Sequence, residues 1–195
     1  MTRTDGEITA ETDRLIVRPW RLDEADRFFD MHRRMEVARW IGGRPMTSLE
    51  EADQKLRQIL DSIAADPRFG AWAVLERDAD VPAGSILLKP LPDGAGEIEI
   101  GWHLHPDSWG RGIATEAAHA LMARGFGFGL TEIWAVANPD NRRSARVCEK
   151  LGMELLGTTT RWYHETNLMF WIGAHPGQQP SLAPDSTSGD PGTDL

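Results

Sequence analysis

The sequence lacks several features that define large classes of protein. It has one cysteine in 195 residues, so no intramolecular disulfide can form. No run of 18 apolar residues could cross a bilayer, and the first residues are polar and acidic rather than an apolar secretory signal. Together these absences favour a cytoplasmic protein with no membrane partner.

Basic residues are outnumbered as well. The net charge is −9, from 21 basic and 30 acidic residues. Four acids and one arginine fall in residues 1–13, and three acids with no basic residue fall in residues 174–195. Nucleic-acid binding needs a basic face, so we expect no nucleic-acid partner.

Length and composition predict one domain with two tails. A hydrophobic content of 41% is enough for a core. The last residues are mainly Pro, Gly, Ser, Thr, Asp and Gln, which cannot bury enough apolar surface to fold. We therefore expect a flexible tail over residues 1–11, a domain over 12–174 and a disordered tail over 175–195.

Hydropathy patterns predict a mixed α/β (α+β) chain. Helices are predicted from Asp23, as a cap, to Met31 and from Ser48 to about residue 65, with an irregular segment over 33–46. Strands are predicted over 15–18, 71–76, 83–88, 97–104, 132–137, 158–161 and 167–172. Within 97–104 the alternation sets Glu97, Glu99, Gly101 and His103 on one face.

The most informative segment is Trp109-Gly110-Arg111-Gly112-Ile113-Ala114-Thr115-Glu116. It follows a predicted strand and opens a helix predicted over 116–126. Two glycines one residue apart let the backbone turn sharply and approach a ligand. A helix that starts there directs free N–H groups and a positive dipole end outward, which suits a phosphate or pyrophosphate.

A second turn follows the predicted strand over 132–137. It reads Asn138-Pro139-Asp140-Asn141-Arg142-Arg143-Ser144 and leads into an apolar stripe. Asn138 or Asp140 is the expected helix cap, and Gly152 is the expected stop. The chain thus runs strand, Gly-rich turn, helix, strand, Asn-rich turn, helix, strand.

These two motifs, in this order, resemble the GNAT acetyltransferases, and most closely the branch that acetylates ribosomal-protein N-termini. The family signature Gln/Arg-x-x-Gly-x-Gly/Ala corresponds to residues 109–114, with Trp109 in place of the polar residue. The Asn-x-x-Asn-x-x-Ser motif corresponds to Asn138, Asn141 and Ser144, and residues 12–19 look like the family's first strand. The resemblance covers roughly residues 12–173.

The resemblance implies a fold and an activity. The fold is the GNAT fold, a mixed, mostly antiparallel sheet of about seven strands flanked by about four helices. The activity is transfer of an acetyl group from acetyl-CoA to a primary amine by direct attack, most plainly a protein N-terminal α-amine. Small-molecule amines serve close relatives, and a non-catalytic acyl-CoA-binding module is the alternative of another class. Homodimerisation stays open.

The resemblance also implies roles for particular residues. Glu99 is the candidate general base, with Glu97 in reserve. Ser144 is the candidate acid for the departing thiolate, with Tyr163, the one tyrosine of the chain, as the alternate. The residues implied in acetyl-CoA binding are Leu104, Trp109, Gly110, Arg111, Gly112, Ile113, Ala114, Thr115, Asn138, Asn141 and Ser144.

Two other side-chain patterns are given structural interpretations. His103 and His105 are spaced as on one strand face, but no cysteine or acidic cluster completes a ligand set, so no metal is expected. Cys148 lies on the apolar stripe of its helix, which indicates a buried, inert thiol.

A dinucleotide-binding fold is disfavoured because the three-glycine fingerprint is absent.

Overall fold

The computed structural model describes residues 7–182. What was predicted for residues 1–6 and 183–195 lies outside these residues. Within the described range, the strands are β1 (Ala10–Glu11), β2 (Leu15–Arg18), β3 (Gly70–Glu76), β4 (Gly84–Pro90), β5 (Ile98–Leu104), β6 (Glu132–Ala137), β7 (Glu154–Thr159) and β8 (Asn167–Gly173). The helices are α1 (Ala25–His32), α2 (Met35–Ala38), α3 (Leu49–Ala65), α4 (Ile113–Gly127) and α5 (Arg142–Lys150).

All eight strands join one sheet in the order β1-β2-β3-β4-β5-β6-β8-β7. Neighbouring strands are antiparallel, except that β5 and β6 are parallel. This confirms the predicted mixed, mostly antiparallel sheet. The sheet has one strand more than the seven expected because β1 has only two residues and gives no sequence pattern.

The two faces of the sheet are covered differently. On one face, Ile100 and Leu104 of β5 share the main core with Ile113 and Leu121 of α4. On the other face, α1 and α3 pack on β3 in a second apolar cluster, in which Leu56 is fully buried. A third cluster on that second face, further along the sheet, contains Leu91, Trp134, Trp162, Met169 and Trp171.

The parallel strands β5 and β6 pair at one position, Glu99 opposite Trp134. By contrast, β5 pairs with β4 along its whole length, and β6 pairs with β8 along its whole length. The sheet therefore splits between β5 and β6 toward their carboxyl ends. Each of these ends leads into one of the two turns singled out from the sequence.

Local boundaries differ from prediction at three helices. Helix α4 begins at Ile113 rather than at residue 116, because Gly112 is its N-cap. The predicted Asp23 cap is wrong, since Asp23 lies inside a 3₁₀ turn that precedes α1. The segment predicted to be irregular contains α2, a short helix that buries Val37 and Ala38. The predicted start of α3 is confirmed, because the Ser48 hydroxyl accepts a hydrogen bond from the Glu51 N–H.

Ordered structure extends past both expected limits of the domain. The Thr9 N–H donates to the Val17 carbonyl, and β1 then adds to β2 inside the segment predicted to be a flexible tail. At the other end, the Ser181 N–H donates to Glu132 at 3.0 Å, and Leu182 packs against the tryptophan cluster. Part of the segment expected to be a disordered tail over 175–195, residues 175–182, thus has contacts with the folded domain.

Strand β7 is also displaced from its predicted position. It occupies Glu154–Thr159 instead of residues 158–161, and a bulge interrupts its pairing with β8 between Leu155 and Gly157. The bulge breaks the alternation at the start of the strand, so residues 154–157 gave no clear strand pattern. None of the helices within residues 7–182 is long and apolar enough to cross a membrane.

Candidate active site

Glu99 is buried on β5 with two polar neighbours. It is 6% exposed, and the register sets it directly opposite Lys89 of β4. The Lys89 Nζ lies 3.5 Å from the Glu99 Oε2. Burial raises the pKa of Glu99, while Lys89 and a hydrogen bond from Tyr163 counteract part of that rise. A carboxylate of this kind is well suited to accept a proton near neutral pH.

Tyr163 reaches Glu99 from the loop between β7 and β8. Tyr163 and His164 both have positive φ, 64° and 53°, which turns this loop back over the sheet. The Tyr163 hydroxyl donates to the Glu99 Oε2 at 2.5 Å and accepts from the Lys89 Nζ at 2.9 Å. Burial and the Glu99 charge raise the pKa of the phenol. The Tyr163 phenol therefore stays protonated and donates its hydrogen bond to the Glu99 carboxylate.

Glu97, the reserve base, has a different setting. It precedes β5, and its carboxylate accepts a 2.6 Å hydrogen bond from the Ala95 N–H. It lines a cavity of about 400 Å³ together with Asp93 and Trp162. Glu97 thus stabilises the turn before β5, whereas Glu99 is the carboxylate beside Lys89 and Tyr163.

The turn before α4 has the geometry expected of an anion site. Gly110 and Gly112 have φ of 76° and 79°, a region that favours glycine. The first intrahelical bond runs from the Glu116 N–H to the Gly112 carbonyl, so the N–H groups of residues 113–115 have no helical acceptor. A Cβ at Gly112 would find no atom closer than 3.8 Å, which means that the turn faces open space.

Arg111 does not point its side chain along this turn. Its guanidinium donates to the Glu76 carboxylate at 2.6 Å. The Arg111 side chain is therefore occupied, and a ligand at this turn would contact the backbone N–H of Arg111. A cavity of about 580 Å³ lies beside the turn. Its lining includes Gly112, Thr115, His119 and Lys150.

Trp109 joins the end of β5 to the start of α5. Its indole N–H donates to the Leu104 carbonyl at 2.9 Å. The Arg143 guanidinium lies over the Trp109 ring, 4.9 Å from its centroid. Trp109, which stands where the family signature has a polar residue, thus makes contacts that hold the Gly-rich turn and α5 in a fixed relative position.

The Asn-rich turn is organised by its own side chains. Asn141 is the N-cap of α5 and accepts from the Ser144 N–H at 3.2 Å, so the predicted cap at Asn138 or Asp140 is wrong. The Asn138 side chain instead accepts from the Asp140 N–H at 2.9 Å. The Ser144 hydroxyl, half-buried in the first turn of α5, has no hydrogen-bond partner among residues 7–182. Gly152, with φ of 76°, follows the helix end as predicted.

His103 and His105 contact different side chains and do not form a common metal site. The His103 Nδ1 lies 3.5 Å from the His32 Nε2, whereas the His105 Nε2 contacts Asp30 at 2.8 Å. Burial, with His32 and Lys89 nearby, lowers the pKa of His103 to about 3, so its ring is neutral. No cluster of three or more metal-ligating side chains occurs in the part of the chain that is described. Burial raises the pKa of Cys148 to about 12, as expected of an inert thiol.

Lys89 and Arg143 are the neighbours that the sequence reasoning missed. Lys89 lies one residue beyond the strand predicted over 83–88, and only the register of β4 against β5 reveals that it faces Glu99. Arg143 stands beside Ser144 in the Asn-rich motif, and nothing in the spacing indicates its contact with Trp109. Both contacts join residues that are distant in sequence or belong to different elements.

Comparison with known proteins bears directly on this arrangement. Residues 14–154 match the family described as Acetyltransferase (GNAT) domain. The chain is 30% identical over 156 residues to an uncharacterized N-acetyltransferase, YoaA, of Bacillus subtilis (strain 168), covering 80% of this chain and 88% of the relative.

Solved structures share the fold. An acetyltransferase from Agrobacterium tumefaciens str. C58 has a TM-score of 0.71 and 26% identity, covering 88% of this chain and 98% of that one. A RimL ribosomal L7/L12 α-N-protein acetyltransferase in complex with coenzyme A has a TM-score of 0.72 at 15% identity, covering 86% of this chain and 98% of that one. The family match over most of the sequence, with the relative from Bacillus subtilis, shows that the chain belongs to the GNAT acetyltransferases and is an acyltransferase enzyme.

Proposed function

We propose that this enzyme transfers an acetyl group from acetyl-CoA to a protein N-terminal α-amine by direct attack, with Glu99 as the general base. The observation that carries the proposal is the split between β5 and β6, which has Glu99 at its closed end and the two turns at its open end. A donor lying in the split would direct its thioester toward the carboxylate.

The edge of β5 offers backbone groups to such a donor. The His105 N–H donates to Ala83 beside β4, so by alternation the backbone groups of Trp102 and Leu104 turn toward β6. Beyond Glu99, β6 no longer pairs with them. An extended arm that carries amides, such as pantetheine, can add to this edge as a strand would. Since the Leu104 carbonyl already accepts from Trp109, the Trp102 groups and the Leu104 N–H are the free positions.

The two turns suit the rest of the donor. The free N–H groups of residues 113–115 would hold the pyrophosphate, with the positive end of the α4 dipole behind them. The amide nitrogens of Asn138 and Asn141 remain as donors, because each side-chain oxygen is used within the turn. Ser144 offers the one hydroxyl of this turn, and we assign it the proton that the leaving thiolate takes up.

The acceptor amine must lose a proton before it attacks. An ammonium group is unreactive, and an α-amine with a pKa of about 8 is partly neutral at physiological pH, whereas a lysine of pKa about 10 is not. Glu99 accepts the proton, directly or through one water. Burial raises the pKa of Glu99 and favours the protonated carboxyl, whereas Lys89 and Tyr163 favour its ionised form.

The choice of an α-amine over other amines has indirect support. The RimL neighbour is named as an α-N-protein acetyltransferase, although at 15% identity it shares the fold alone. A small-molecule amine such as an amino acid, a polyamine or an antibiotic is the second candidate acceptor. A non-catalytic acyl-CoA-binding role is disfavoured, because such a module would have no use for a buried carboxylate beside a hydroxyl and an amine.

A panel of amines tests the proposal. Peptides with free α-amines, the same peptides with blocked N-termini and one internal lysine, amino acids, polyamines and aminoglycosides are assayed for CoA release. The expected result is turnover with free-N-terminus peptides that is lost on blocking. Turnover with a small amine alone would reassign the acceptor, and acetyl-CoA binding without turnover on any amine would favour the binding module.

A further inference from the structure

Lys89 places a primary amine at the catalytic carboxylate. Its Nζ lies 3.5 Å from the Glu99 Oε2 and 2.9 Å from the Tyr163 hydroxyl. A base must stand within hydrogen-bond reach of the amine that it deprotonates, or one water away. The Lys89 side chain is 39% exposed, so it occupies the accessible side of a carboxylate that is otherwise buried. In the free enzyme, Lys89 therefore stands where an acceptor amine would stand.

The identity of this residue is unusual for the chain. Among 21 basic residues, only Lys55, Lys89 and Lys150 are lysines, and the other basic positions are arginines. An arginine opposite Glu99 would make a stronger, two-pronged pair and would stay charged. Lysine is the basic side chain that can pair with a carboxylate and also give up its proton to become a nucleophile.

We propose that the enzyme acetylates its own Lys89 when acetyl-CoA is bound and no external amine occupies the cleft. The inference rests on the proposed function, because it uses the same carboxylate and the same donor. Lys89 Nζ passes one proton to Glu99 and attacks the thioester carbonyl. The N–C bond forms, the C–S bond breaks, and the nitrogen loses a second proton as the neutral amide forms. One of the two protons ends on the thiol of CoA and the other leaves through Glu99 to solvent.

The modification would change the site that makes it. The amide of acetyl-lysine carries no charge, so Glu99 would lose its counter-ion. Since the Lys89 charge lowers the pKa of Glu99, its loss leaves the carboxyl protonated to a higher pH. A smaller fraction of Glu99 is then ionised at a given pH, so the reaction with external amines is reduced until the pH rises.

The test uses full-length protein and acetyl-CoA, with peptide mass spectrometry at all three lysines. Lys55 and Lys150 are both exposed; Lys55, on α3, reports uncatalysed acetylation, and Lys150 reports acetylation beside the Gly-rich turn. The expected result is that Lys89 gains an acetyl group faster than either of them, at a rate independent of protein concentration. Glu99→Gln should slow acetylation at Lys89 by about 10²-fold or more and leave Lys55 unchanged. A saturating external acceptor should also slow it.

Matched variants separate this inference from the proposed function. Lys55→Arg should change neither acetylation at Lys89 nor turnover, because Lys55 lies on the exposed face of α3. Turnover on an external amine with Lys89 modified no faster than Lys55 would overturn self-acetylation alone. Fast, Glu99-dependent modification of Lys89 with no turnover on any amine would overturn the proposed acceptor and support self-acetylation. Neither reaction would overturn both.

Discussion

Glu99 lies directly opposite Trp134, at the one position where the parallel strands β5 and β6 pair within the described chain. The sheet is closed at the carboxylate and open beyond it. A ligand that enters the split from the Gly-rich and Asn-rich turns would therefore end at Glu99. In the proposed mechanism, this arrangement would bring the donor to a buried carboxylate that contacts Tyr163 and Lys89.

Tyr163→Phe distinguishes two roles for the hydroxyl. The hydrogen bond from Tyr163 stabilises the ionised form of Glu99 and lowers its pKa, so the variant should have a higher Glu99 pKa. The acidic limb of the pH–rate profile is expected to shift to higher pH, while the rate at its alkaline plateau is retained. A loss of kcat that is equal at every pH would instead make Tyr163 the acid for the thiolate.

Lys89→Met removes the counter-ion of Glu99 while keeping an unbranched side chain. Because the Lys89 charge lowers the pKa of Glu99, the acidic limb should again move to higher pH. Lys89→Arg keeps the charge and should leave the limb nearer its original position. The pH dependence of kcat/KM for one peptide acceptor is the measurement. If the acidic limb of the profile does not shift in Lys89→Met, the Lys89–Glu99 pair does not set the pKa of Glu99.

Gly112→Val tests the anion site at the start of α4. A branched side chain at a φ of 79° is strained by roughly 1–2 kcal/mol and crowds the free N–H groups. Acetyl-CoA should then give little or no rise in melting temperature. Gly129→Val is the matched control, since Gly129 also has positive φ and open space but lies beyond the other end of α4. It should lose similar stability and keep the acetyl-CoA shift; equal shifts in both variants would contradict the assignment.

Truncation after Ala174 tests the docking of residues 175–182. Glu132 would lose its hydrogen bonds from Ser181, and Leu182 would leave the tryptophan cluster. Hydrogen bonds to a charged group contribute on the order of 1–3 kcal/mol, which predicts a melting temperature lower by several degrees. A chain ending at Leu182 keeps these contacts and should melt with the full chain. Equal melting temperatures for both truncations would show that the contacts contribute nothing.

The fold was largely predictable because its elements carry local signals. Each signal lies within a few residues of the strand or helix that it predicts. Examples are the alternation over 97–104, the Ser48 cap of α3 and the Gly- and Asn-containing turns. The contacts of residues 175–182 were not foreseen, because Ser181 bonds to Glu132, 49 positions away, and Leu182 packs on the tryptophan cluster. Composition alone cannot reveal such contacts.

The sequence singled out candidate residues one by one but did not reveal their arrangement. Glu99 and Tyr163 were both singled out, yet as parts of two separate steps; the structure joins them by one hydrogen bond. Lys89 could not be found, since its role depends on the pairing register of β4 with β5 rather than on a motif. Similarly, Asn138 or Asp140 was the expected cap, but Asn141 takes that position because α5 begins at Arg142.

The pH dependence of kcat/KM for Glu99→Gln, compared with Glu97→Gln, tests the assigned base most directly. Glu99→Gln should lower kcat/KM by on the order of 10²–10⁴-fold at neutral pH, leave the Kd for acetyl-CoA unchanged, and recover partly as rising pH neutralises the acceptor amine. Glu97→Gln should have a much smaller effect, because its carboxylate is held by the Ala95 N–H. Rates like those of the unaltered enzyme for Glu99→Gln at neutral pH, or an equal loss for Glu97→Gln, would contradict Glu99 as the base.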